Sequence, residues 1–159
     1  MWKPVIGKGT QVALDMYRCL EDVVYDKDKI KAILEMAAQK FDMRELAVHL
    51  TDNEMDEEFC YVMLCDNGHI FLHVFPAQGY AAADVFTLDS GADPEELAIF
   101  LRKEFGPDQA KLTMITRGDF GNVSDMKPRR QKIVKPIRRA KNAGATLKKF
   151  MMLNKNSSN

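Results

Sequence analysis

The chain has 159 residues, enough for one ordinary domain around a single core. A hydrophobic content of 46% with 29% charged residues excludes a disordered polymer, and no apolar run approaches the roughly 20 residues that span a bilayer. The net charge of zero conceals an asymmetry: eleven of the 23 Lys and Arg fall from Lys127 onward with no Asp or Glu, leaving residues 1–126 at about −11.

In chain order, residues 10–19 alternate as a first strand, with Val12, Leu14 and Met16 on one face. Residues 27–41 shift to helical spacing through Ile30, Ile33, Leu34, Ala37 and Phe41, with Asp26 or Asp28 as cap. Residues 45–51 and 57–65 read as two strands joined by the polar stretch 52–56. Asp66-Asn67-Gly68 is a turn signal because Asn and Gly tolerate positive φ, so residues 60–65 and 69–75 form a hairpin. Residues 81–88 are apolar on both faces and form a central strand. Asp93-Pro94-Glu95-Glu96 starts a second helix, Leu97, Phe100, Leu101 and Phe105 line its face, and Gly106 ends it. Residues 111–116 supply the last strand of the body.

The predicted architecture is α+β: a two-layer α/β sandwich, a mostly antiparallel sheet with two helices on one face. A tail or a second subunit must cover the other face. Residues 1–126 form the domain and residues 127–159 a basic C-terminal extension, extended at first, then an amphipathic helix over 137–152 and a frayed end. Such a tail either neutralises nucleic-acid phosphates or folds onto the acidic body or a partner subunit. Its one aromatic, Phe150, gives little for base stacking, and the second reading is preferred. Cys19, Cys60 and Cys65 are odd in number and lack CxxC spacing, so they are read as reduced thiols. The three histidines have no cluster that would make a metal site. The opening residues MWKPVIGKGT have no signal-peptide character, and the expected location is cytoplasmic.

Four motifs carry a resemblance. GHIFLH at residues 68–73 ends in His73, Pro76 follows, GYAAADVFT occupies residues 79–87, and Asp93-Pro94 precedes a helix and a strand ending in Arg117-Gly118. Over roughly residues 9–118 this resembles the small bacterial S-adenosylmethionine decarboxylases, most closely from residue 68 on. In that family a serine hydroxyl attacks the preceding carbonyl, and elimination from the resulting ester cuts the chain and leaves a pyruvoyl group. That group forms a Schiff base with the substrate amine and takes up the electrons released as CO2 departs.

The resemblance puts Gly68 at the position of that serine. Glycine has neither hydroxyl nor β-carbon, so the implied cofactor is none: no pyruvoyl group can form there. Asn67 stands for a glutamate, Leu88 for a proton-donating cysteine, Ala77 for a glutamate and Cys60 for a serine; His73 matches the processing histidine. Thr87, Ser90 and Cys65 lie outside the place where cleavage would leave a pyruvoyl group in the pocket. No catalytic residue is therefore assigned, and Gly68, Cys60, His73, Ala77 and Leu88 are read as degenerate positions. Tyr80, Phe86 and His73 are candidate ligand contacts, although Tyr80 and Phe86 serve equally as core or interface aromatics, and His69 is assigned to turn geometry. The expectation is a binding or regulatory protein linked to polyamine metabolism, a homodimer or a partner of an active paralogue, taking an adenosyl compound or polyamine. The alternatives are an active decarboxylase with atypical processing and a nucleic-acid-associated protein acting through its tail.

Overall fold

The computed structural model describes residues 8–53, 57–88, 91–118 and 128–134. The helix expected over 137–152 and Ser90 lie outside the described residues. Among those described, seven strands form one antiparallel sheet: β1 (Gly9–Tyr17), β2 (Glu45–Asn53), β3 (Glu58–Cys65), β4 (Gly68–Phe75), β5 (Tyr80–Leu88), β6 (Gln109–Arg117) and β7 (Arg129–Val134). Their spatial order is β2-β3-β4-β5-β1-β6-β7, so β5 is the middle strand, as its apolar faces require. The helices are α1 (Glu21–Val24), α2 (Lys27–Lys40) and α3 (Pro94–Phe105), and a single 3-10 turn, Pro76–Gln78, links β4 to β5.

Local chemistry sets most boundaries. Arg18 takes φ +54 and ends β1 two residues earlier than alternation suggests. The Asp26 carboxylate accepts from the Lys29 N–H at 2.9 Å and caps α2. Asp93 accepts from Glu95 and Glu96 at 2.9 and 3.3 Å, Pro94 opens α3, and Gly106 closes it at φ +55 with its N–H on the Arg102 carbonyl. The four-residue α1 is too short to show a period in the sequence; Val23 and Val24 plug the core beside α2.

One sheet face is buried beneath α2 and α3. Val12, Leu14 and Met16 of β1, Ile70, Leu72 and Val74 of β4, and Val85 of β5 meet Ile30, Ile33 and Leu34 of α2 and Leu97, Leu101 and Phe105 of α3 in one cluster. Ala81 and Ala83 on β5 are small, which lets α3 settle against the middle of the sheet. Among the described residues the opposite face carries no helix. Tyr17 and Ile115 remain 43% and 37% exposed there, and Tyr80 donates to Asp15 at 2.7 Å between the rings of Tyr17 and Phe75.

The strand over 109–117 is not the last one. Residues 129–134, within the segment that charge sets apart, pair with β6 from Gln109↔Val134 to Met114↔Arg129. The Arg129 guanidinium and the Gln131 amide both reach the Glu95 carboxylate in the first turn of α3, the latter at 3.0 Å. An alternating pattern is faint in RRQKIV; the free edge of β6 and the acid on α3 supply the partners that make it a strand.

Candidate functional site

The β3–β4 hairpin positions every residue that the sequence singles out on those strands. Its two-residue turn, Asp66-Asn67, pairs Cys65 with Gly68. Neither Asn67 nor Gly68 has positive φ, so backbone freedom is not what the turn asks of glycine here. The requirement is space. A β-carbon on Gly68 would fall on the Phe86 carbonyl oxygen at less than any real contact distance, with the Phe86 carbonyl carbon at 3.0 Å and Thr87 Cα at 3.1 Å. Those are backbone atoms of β5 and cannot swing aside as a side chain would. The residues at this end do not fit a pyruvoyl group: the hydroxyl that would generate it and the space for its precursor are both missing.

The surroundings of Gly68 are filled. Asn67 accepts the Leu88 N–H at 2.9 Å through its main-chain oxygen, and its side chain lies against Gly91. Asn67 Oδ1 is buried without a hydrogen-bond partner among the described residues. Thr87, opposite Gly68, is buried and donates to the Ala92 carbonyl at 2.8 Å. On the open sheet face Phe86 covers Gly9 and stacks on His69 at 5.4 Å, with the Arg117 guanidinium 5.7 Å from its ring centroid. His69 thus answers to an aromatic stack and not to the turn. Burial holds its imidazole below the ordinary range; Arg117 acts in the same direction and Asp84 opposes it. Leu88 lines an open cavity of about 350 Å3 together with Thr10, Thr87, Ala92, Glu95 and Met114.

Five residues along β4 from Gly68, about 17 Å at the strand rise, the chemistry differs. Cys60 and His73 are directly opposite on β3 and β4, with Cys60 Sγ 3.7 Å from His73 Nε2. Glu58, two residues before Cys60 and on the same face, places Oε1 3.0 Å from His73 Nδ1. Burial pushes the Cys60 thiol up from its ordinary value, and the Glu58 carboxylate adds to the effect. Sequence reasoning missed Glu58. A signal was present: a two-residue turn after Cys65 pairs residues equally distant from it, which sets Cys60 against His73, and strand periodicity puts Glu58 beside Cys60.

The remaining candidates are dispersed. Tyr80 and Phe86 share the open face but are six residues apart on β5, about 20 Å, and each ring already stacks on protein. Ala77 is exposed in the turn at the far end of β4 from Gly68. Among the described residues no three His, Cys, Asp or Glu side chains come together as a metal site, and no helix is long and apolar enough to cross a membrane.

The family model for S-adenosylmethionine decarboxylase matches residues 10–118, which run from β1 to just past β6. The chain belongs to the S-adenosylmethionine decarboxylase family. A relative from Clostridium kluyveri, an S-adenosylmethionine decarboxylase proenzyme, is 28% identical over 121 residues, covering 75% of this chain and 94% of its own. Proenzymes of the same name from Carboxydothermus hydrogenoformans and Pyrococcus abyssi are each 32% identical over 100 residues. These alignments cover 62% and 63% of this chain, and 76% and 71% of the relatives. The crystal structure of the Aquifex aeolicus adenosylmethionine decarboxylase matches with a TM-score of 0.62 at 22% identity, over 74% of this chain and 97% of that one, and shows a shared fold. The family match ends before β7, so the strand that clamps Glu95 lies outside it.

Proposed function

We propose that this member of the S-adenosylmethionine decarboxylase family does not cut itself, carries no pyruvoyl group, and acts by binding instead of decarboxylation. One observation carries the reading: Gly68 has no hydroxyl to attack with, and the Phe86 carbonyl lies where a β-carbon would have to stand. Leu88 in place of the family's cysteine and Ala77 in place of its glutamate extend the loss beyond cofactor formation. The ligand class is an adenosyl compound or a polyamine, and the role is regulatory within polyamine metabolism. The partner is a second copy or an active paralogue. The half-exposed Tyr17 and Ile115, on the face that carries no helix among the described residues, support this, because a partner would remove them from water.

Intact-mass spectrometry of the purified full-length chain tests the reading. A single uncut species near 18.1 kDa is expected. Two fragments, the second with a blocked N-terminus, would overturn it.

A further inference from the structure

The Cys60–His73–Glu58 group is not explained by the loss of self-cleavage. A retired processing pair has no need of a third, hydrogen-bonded member. Here the sheet register sets a thiol opposite an imidazole, and the imidazole's other nitrogen meets a carboxylate at 3.0 Å. With His73 Nδ1–H donating to Glu58, Nε2 is the acceptor that faces the thiol. This is the order of nucleophile, base and orienting acid that activates a weak nucleophile. The group is also reachable. His73 and Glu58 side chains are 45% and 29% exposed and Cys60 is half-buried, whereas Cys19 and Cys65 are buried.

The substrate class follows from what surrounds the thiol. β3 lies between β2 and β4, and β4 between β3 and β5, so the main-chain N–H groups near Cys60 belong to sheet ladders, and that of Leu72 also reaches the Cys60 sulfur itself. They cannot turn toward a developing oxyanion, and a carbonyl substrate would find no stabilisation of the kind that acyl transfer needs. A disulfide makes no such demand, because its leaving group is a thiolate that needs only a proton. We propose that Cys60 is a nucleophilic thiol, assisted by His73 as base and Glu58 as the positioning residue, that exchanges with low-molecular-weight disulfides. The Cys60 proton passes to His73 Nε2 while Sγ bonds to one sulfur of the disulfide. The original S–S bond breaks, its electron pair leaves on the distal sulfur, and that thiolate takes the proton back from His73. The products are a mixed disulfide at Cys60 and one free thiol. The thiol stays protonated at rest because burial and Glu58 outweigh the Leu72 main-chain hydrogen bond that favours its anion, so the base is needed in the step itself.

The test treats the full-length chain with oxidised glutathione and follows each cysteine by site-resolved mass spectrometry. Cys60 is expected to form the mixed disulfide faster than a cysteine in an unstructured peptide, with Cys19 and Cys65 unreacted. His73→Gln is expected to slow Cys60 on the order of 10²-fold, the low end of what a positioned base supplies. Imidazole added to His73→Ala is expected to recover part of the rate, which a structural role for the ring would not allow. Glu58→Gln tests the positioning residue without touching the ring, with a smaller loss that Glu58→Asp restores in part. Circular dichroism confirms that each variant is folded. The proposal is overturned if folded His73→Gln reacts at the wild-type rate, or if wild-type Cys60 reacts no faster than the peptide thiol.

Discussion

At the Gly68 end of β4, two backbones approach so closely that no side chain fits between them. Around His73 on the same strand, three polar side chains meet on an open face. The first arrangement is closed by main-chain atoms, which move only if a strand moves. The second is held by rotamers and hydrogen bonds, which can reorganise one residue at a time. Restoring one residue will therefore not restore the first, whereas single substitutions should resolve the second.

Gly68→Ser is the substitution that stresses the closed end most. It returns the hydroxyl but drives Cβ into the Phe86 carbonyl, and it is expected to destabilise the fold by about 3 kcal/mol, the upper end of overpacking costs. Urea denaturation reads the loss, and intact mass should still show an uncut chain. A serine variant of wild-type stability would mean that β4 and β5 separate without cost.

The alkaline limb of stability comes next, because Cys65 sits opposite Gly68. Burial, followed by Asp66 and Glu45, pushes its thiol from 9.0 to about 11. Below pH 9 the folded and unfolded chains both keep the proton and the stabilising contribution is whole; between pH 9 and about 11 the unfolded chain releases it first, and stability falls as pH rises. Cys65→Ala should flatten that part of a plot of urea midpoint against pH. An unaltered slope would assign the decline to other groups.

The smallest effect is expected at the open end. Cys60→Ser keeps a hydroxyl within reach of His73 and should change stability by about 0.5 kcal/mol or less. A larger loss in urea would show that the open group stabilises the sheet as the closed end does.

Much of the fold was legible because its signals are local. Asp93-Pro94 and Gly106 bracket α3 through groups within a turn of each end, and the apolar run of β5 marks a middle strand whatever its partners. The misses share one cause. β7 exists through the edge of β6 and through Glu95, a residue 34 positions from Arg129. Glu58 acquires a role only after the β3–β4 register sets Cys60 against His73. Ala77 and Gly68 read as one site in sequence, yet the length of β4 separates them.

By itself the sequence established the family, through GYAAADVFT and its neighbours, and the missing hydroxyl at Gly68, because both are matters of residue identity. Only the tertiary structure decided that Gly68 is glycine for lack of room and not for its φ. It alone gave the side-chain contacts, 3.7 Å from Cys60 Sγ to His73 Nε2 and 3.0 Å from Glu58 Oε1 to His73 Nδ1. Close approach and hydrogen bonding depend on which strands lie side by side, and that is set by the packing of the whole sheet against its helices.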